Sequence, residues 1–200
     1  MIFAGMIAFL RGEFAYKSPA LVHMNVAGVG YELQISLHTY SRIENLSSGM
    51  LLTFLHIRED AHVLYGFFDR VEKDLFIQLI SVSGVGAGTA RMMLSSMRPE
   101  EITRAILQGN SRQLESIKGI GKKSAERIIL ELRDKVAKSK DEWANNSSPA
   151  SNTLEQDALN ALVTLGIARP AAENAIRRVI GEVSGTDKVE DLIKKALKIL

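Results

Sequence analysis

The chain has 200 residues, 46% of them hydrophobic and 24% charged, which supports real cores and excludes a disordered polyelectrolyte. A formal net charge of +2 excludes a uniformly basic glove for nucleic acid. With no cysteine at all, disulfides, zinc ribbons and thiol catalysis are excluded, and a reducing, cytoplasmic setting is expected.

The opening MIFAGMIAFLRG is apolar but has neither a basic leader nor a small-residue cleavage site, so a secretory signal is not expected. No apolar run approaches the roughly 20 residues needed to span a bilayer. From Met1 to Phe68 short apolar stretches recur: IFAGMIAFL, ALVHMNVAG, YELQISL, MLLTFLHI and HVLYGFF. Tyr31, Leu33, Ile35 and Leu37 alternate at period two, as on a half-buried strand. Turn signals at Lys17-Ser18-Pro19, Gly28-Val29-Gly30 and Ser47-Ser48-Gly49 separate the stretches. Five short strands in this length predict a small closed or nearly closed barrel over 1–68. Phe3, Phe9, Tyr31, Phe54, Tyr65, Phe67 and Phe68 mostly suit its interior.

From Asp69 the period changes to that of helices. VEKDLFIQLISV places Val71, Leu75, Leu79 and Val82 on one side. RPEEITRAILQGN carries Pro99 in its first turn and Gly109 past its end, the expected start and stop signals. SRQLESI and KSAERIILELRDKVAKSK follow. An internal repeat lies within this region: LISVSGVGAGTARMML (79–94) aligns without gaps on LESIKGIGKKSAERII (114–129), an offset of 35 residues. Gly84 and Gly86 thereby match Gly119 and Gly121. Charge is also local here. Residues 1–68 hold four Lys/Arg against five acids, whereas residues 111–140 hold nine against four.

DEWANNSSPASNT (141–153) has the composition of a flexible linker. LEQDALNALVTLGI then reads as a helix with Leu159, Leu162 and Val163 inward and Gly166 as its stop. With RPAAENAIRRVIGEV and KVEDLIKKALKIL it makes a three-helix bundle over 154–200.

Each Gly-x-Gly turn joins two helices. Such a turn is either a tight connector or an anion site. The glycines remove side chains that block approach, and the next helix offers unpaired N–H groups and the positive end of its dipole. Lys118, Lys122 and Lys123 around the second copy, together with the repeat, favour phosphate. Contacts of this kind are sequence-neutral and salt-sensitive. Neither turn is a nucleotide loop: Thr89 and Ser124 stand where a dinucleotide fingerprint needs its third glycine, and Lys123 where a Walker A loop needs Ser or Thr.

The two turns resemble tandem helix-hairpin-helix motifs. The chain as a whole resembles the RuvA family through its barrel opening, VAGVGYEL (26–33), REDAHVLYGF (58–67), SGVG (83–86), KGIGKKSAERIILEL (118–132) and ALNALVTLGI (158–167). The resemblance implies an α+β multidomain protein: an OB-like barrel (1–68), a tandem hairpin domain (69–140), a linker (141–153) and a UBA-like bundle (154–200). It implies a non-catalytic subunit, without cofactor or metal, for recombination, repair and the SOS response. Such a subunit binds four-way junction DNA as a homotetramer or octamer.

By the same resemblance, phosphates are held by Gly84, Gly86, Gly88, Arg91, Lys118, Gly119, Gly121, Lys122 and Lys123. Glu59 and Asp60 form an acidic pin at the junction centre, which repels phosphates and disfavours other DNA. Leu162, Leu165, Gly166, Ile167, Ala172 and Ile176 recruit the hexameric ATPase RuvB, and the nuclease RuvC is a further partner. The chain departs from the family pattern at Ala87-Gly88, where Pro-Lys is usual, so a lysine contact at the first hairpin is not expected and Arg91 is the candidate for its charge. The barrel opening is also a few residues longer than usual.

Other readings carry less. Asp134, thirteen residues after Gly121, is placed as a glycosylase acid would be, but nothing marks a base pocket. His23, His38, His56 and His62 show no metal-ligand spacing. Single-strand binding through the barrel conflicts with its net acidic balance. The alternative to junction recognition is a generic sequence-neutral binder of duplex or single-strand DNA.

Overall fold

A computed structural model describes residues 6–146, 154–182 and 188–200. Two compact units are distinguished, Met1–Trp143 and Ala144–Leu200.

The first unit opens with five strands: β1 (Phe9–Ser18), β2 (Leu21–Val26), β3 (Val29–Gln34), β4 (Ser48–Ile57) and β5 (His62–Phe67). They close into a barrel in the order β1-β2-β3-β5-β4. All pairings are antiparallel except β3 with β5. A register shift between Phe14 and Tyr16 lets β1 curve to reach both neighbours. Gly12 allows the close approach of β2, since a Cβ there would overlap the Asn25 carbonyl.

Three expectations are corrected in the barrel. The first strand is FLRGEFAYKS, beginning at Phe9; of IFAGMIAFL, residues 6–8 precede it, and 2–5, with Phe3, lie outside the described residues. The turn after β2 falls at Ala27-Gly28, and Val29 and Gly30 belong to β3. The alternation from Tyr31 ends at Ile35, because Ser36 accepts from Thr39 N and caps α1 (Leu37–Ile43), which leaves Leu37 48% exposed.

Alternation also sorts the aromatic residues, and again differently from expectation. Leu51, Leu55 and Leu64 face the barrel core with Val22, Met24, Leu33 and Ile35. Phe54, Tyr65 and Phe67 lie on the opposite faces of their strands and join the core of the next region. Their rings pack on Phe76 at centroid distances of 5.7, 4.9 and 4.9 Å. Phe9 is 53% exposed.

That next region is helical: α2 (Arg70–Ile80), α3 (Ala87–Ser96), α4 (Pro99–Gln108), α5 (Ser111–Glu115) and α6 (Lys122–Asn146). Asp69 caps α2 by accepting from Glu72 N. Pro99 begins α4, and Gly109 ends it in the left-handed conformation, φ 67°. Leu75, Phe76, Leu79, Met93, Leu94, Ile102 and Ile106 fill the core. α6 runs on to Asn146, so 141–146, expected as linker, is helical; no Gly or Pro interrupts the chain between Lys122 and Asn146. The remainder of that linker, 147–153, lies outside the described residues.

A buried carboxylate joins barrel and hairpins. Glu72 of α2 is 0% exposed. It accepts from Ser36 Oγ, from Thr39 Oγ1 at 2.5 Å and from Phe68 N at 3.4 Å. Burial pushes its pKa up, opposed by the Ser36 and Thr39 hydrogen bonds and by His38, with Asp69 adding to the rise. α3 is fastened to the barrel as well, by Arg91 Nη1 donating to Ala20 O at 3.1 Å and Leu37 N donating to Ser95 Oγ at 3.1 Å.

The second unit contains α7 (Leu154–Thr164), α8 (Arg169–Glu182) and α9 (Val189–Ile199). Ala158, Leu162, Ala172, Ala175, Val179, Leu192 and Ala196 form its core. Leu162 is inward as expected, but Val163 is turned out, 37% exposed. Among the described residues no helix is long and apolar enough to cross a membrane.

Candidate nucleic-acid interface

The sequence repeat is also a geometric repeat. In the first hairpin, between α2 and α3, Val82 N donates to Leu79 O at 3.1 Å, Val85 N to Val82 O at 3.0 Å and Ala90 N to Gly86 O at 2.9 Å. In the second, between α5 and α6, Ile117 N donates to Leu114 O at 3.1 Å, Ile120 N to Ile117 O at 3.0 Å and Ala125 N to Gly121 O at 2.9 Å. Ser81 Oγ and Ser116 Oγ each donate to the carbonyl three residues back at 2.7 Å. The leading glycines share one conformation, with φ of 90° at Gly84 and 93° at Gly119. A side chain is strained there.

The apolar residues of each turn anchor it. Val82 and Val85 are 2% and 5% exposed, Ile117 and Ile120 3% and 5%. The second glycines have a different reason to be glycine. Gly86 has φ −83° and ψ 166°, open to any residue. A Cβ on Gly86, Gly88 or Gly121 would meet nothing within 4 Å. The fold therefore leaves a bare, open surface at the N-terminus of α3 and of α6, where first-turn amides lack intrahelical partners. No side chain caps α3. Both ends suit an anion.

The two copies differ in charge. Lys118, Lys122 and Lys123 are all exposed beside the second turn. The first carries no Lys or Arg from Val82 to Ala90. At the position of Lys122 it has Ala87, 1% exposed in the core. Arg91, expected to supply charge, is half-buried with Nη1 engaged on the Ala20 carbonyl.

Glu59 and Asp60 occupy the turn between β4 and β5, closed by Arg58 N donating to Ala61 O at 2.9 Å. Both are exposed. Arg58 Nε donates to His56 Nε2 at 2.9 Å. Partial burial pulls the His56 pKa down, and the Arg58 charge lowers it further. No sequence signal marks this pair, because a histidine near a strand's end and an arginine two residues on, just past that end, carry no motif.

In the bundle the candidate contact residues divide. Leu162, Ala172 and Ile176 are 0%, 0% and 4% exposed and act as core, which corrects their placing on a contact surface: each lies on the inward stripe of its helix. Leu165 is 63% exposed, Gly166 is exposed with φ 93°, and Ile167 is half-buried. Val163, Ile180 and Leu197 are exposed apolar residues that the sequence reading did not select. Among the described residues no group of three or more His, Asp or Glu is placed to hold a metal.

Three family models match the chain: the RuvA N-terminal domain over residues 6–66, the SAM-like helix-hairpin-helix tandem over 76–134, and the RuvA C-terminal domain over 153–200. Relatives named "Holliday junction branch migration complex subunit RuvA" align along the whole length. That of Cytophaga hutchinsonii is 43% identical over 198 residues, 97% of this chain and 100% of the relative. That of Flavobacterium psychrophilum is 45% identical over 195 residues, 98% and 100%. That of Bacteroides fragilis is 42% identical over 202 residues, 98% and 100%.

Proposed function

This chain belongs to the RuvA family, and from that premise we propose how its surfaces divide the work on a Holliday junction. It is a non-catalytic DNA-binding subunit of the branch migration complex. The finer assignment is ours. The first-turn amides at Gly86 and Gly121 each take a phosphate of one duplex arm. Gly84 and Gly119 shape the turns, Gly88 keeps the approach open, and Lys118, Lys122 and Lys123 add charge at the second hairpin. Arg91 serves chiefly to dock α3 on the barrel.

Four copies assemble around the junction with Glu59 and Asp60 of each at its centre. Carboxylates there repel phosphates, which keeps the crossover open and penalises a continuous duplex. The bundle offers Leu165, Gly166 and Ile167 to the ATPase RuvB, with RuvC as a further partner. A tethered module of this kind stays at high local concentration while its partner moves.

The observation that carries this reading is the repeat of one hydrogen-bond pattern 35 residues apart, at two glycines that the fold itself leaves free. A gel shift at two salt concentrations tests it, with a synthetic four-way junction against a linear duplex of the same arm sequence. Preference for the junction, weakened by salt and relaxed by Glu59→Ala with Asp60→Ala, is the expected result. Equal binding to both would leave a generic duplex binder, and binding to neither would make the turns plain helix connectors.

A further inference from the structure

On β4, Phe54 and His56 share one face by strand periodicity, and Arg58 follows just past the strand's end. Phe54 pairs with Tyr65 across to β5, and both rings rest on Phe76 of α2. His56 continues this aromatic column, 6.3 Å from the Phe54 ring and 6.4 Å from that of Tyr65. Phe54 and Tyr65 are each 5% exposed, so the imidazole stands on a fixed base. Its Nε2 then accepts from Arg58 Nε at 2.9 Å. The column thus runs from the hairpin helix to the foot of the acidic turn and ends on the turn's own cation.

Arg58 adjoins two exposed carboxylates in sequence, and a guanidinium within reach of a carboxylate makes a charge-assisted hydrogen bond. Here, among the described residues, Glu59 and Asp60 make no ion pair, while Arg58 is drawn back along the strand. We infer that His56 is a positioning residue that holds Arg58 off the acidic turn, leaving Glu59 and Asp60 unneutralised and so setting the preference for junction over duplex. The inference rests on the acidic-turn reading given above.

The bond requires a neutral imidazole with a free Nε2 lone pair. Burial and Arg58 both favour that form. Protonation removes the acceptor and sets two cations side by side, which releases Arg58 toward the carboxylates. The groups facing His56 are Arg58, just past the end of β4, and Tyr65 on β5, with His62 opposite Ile57 at the strand's end. Arg91 of α3 acts on Tyr65.

The experiment measures the ratio of duplex to junction Kd for the full chain at pH 7.5 and pH 5.5, at constant salt. His56→Ala is expected to lower the ratio roughly two- to fivefold at pH 7.5, the scale of one exposed ion pair gained. Arg58→Ala in that background is expected to restore it, which a merely structural role for His56 would not produce. His56→Gln, a neutral acceptor at both pH values, is expected to keep the ratio at pH 7.5 and to show a smaller fall at pH 5.5 than the parent. An unchanged ratio in His56→Ala, beside a clear change in Glu59→Gln with Asp60→Gln, overturns the inference alone. An unchanged ratio in that double glutamine variant overturns the acidic-turn reading and the inference with it.

Discussion

At Gly86 and Gly121 the demands of the fold and of a ligand can be separated by one substitution. Aspartate is at least as good an N-cap as glycine, and a Cβ at either site meets nothing. Gly86→Asp and Gly121→Asp are therefore expected to leave stability unchanged or a few tenths of a kcal/mol higher, while placing a negative charge where a phosphate would sit. Junction affinity should fall at least about tenfold, or ~1.4 kcal/mol, with an unaltered thermal melt. Gly84→Ala and Gly119→Ala act oppositely on the melt, because their φ of 90° and 93° makes an Ala cost about 1–2 kcal/mol.

Glu72 gives a residue-scale prediction in pH. Its folded pKa lies above the ordinary carboxyl value of 4.5, so between those two values the folded protein holds a proton that the unfolded chain has released. The stabilisation from that proton is complete below about pH 4.5 and is lost as pH rises through the folded value. Glu72→Gln carries no such dependence. Urea titrations from pH 4.5 to 8 should show the parent losing stability relative to the glutamine variant. The reverse trend would mean that the Ser36, Thr39 and Phe68 donors outweigh burial.

At the scale of elements, each hairpin hangs on its buried apolar residues. Ile120→Ala is expected to cost about 2–4 kcal/mol and to loosen the second turn, read as an earlier urea midpoint with an unchanged slope. Most elements were legible in the sequence because their signals are local: Pro99 and Gly109 bracket α4, and the 35-residue repeat marks both hairpins. The failures share a cause. Leu37 continues a period-two pattern, and only the Ser36 cap, which depends on where its hydroxyl points, turns the chain into α1. Phe54, Tyr65 and Phe67 alternate correctly for a barrel strand, but periodicity does not say which face meets a second core. In the bundle, Leu162 and Leu165 look equivalent in composition, and only packing shows one inside and the other out.

For the whole molecule, the charge asymmetry between the hairpins predicts an asymmetric response to salt. Replacing Lys118, Lys122 and Lys123 together by Ala should reduce the slope of log K against log salt by about 2–3, near 0.9 for each phosphate left unneutralised. Salt-titrated junction binding measures this directly. The two compact units make a second prediction from the proposed division of work: a chain ending at Asn146 should bind a junction as the full chain does and fail to stimulate RuvB, as read by a branch-migration assay.

The matched geometry and unmatched charge of the two hairpins have a mechanical consequence. The first turn offers amides alone and is fastened through Arg91 and Ser95 to the barrel; the second adds three exposed ammonium groups. On the phosphate reading proposed above, the two turns would hold a moving duplex arm differently: amide hydrogen bonds at the first turn act only at contact distance, whereas lysine charges at the second act over several ångströms. One foot would be planted while the other drags, and such a subunit would serve as a bearing with a detent, its steps the spacing of phosphates.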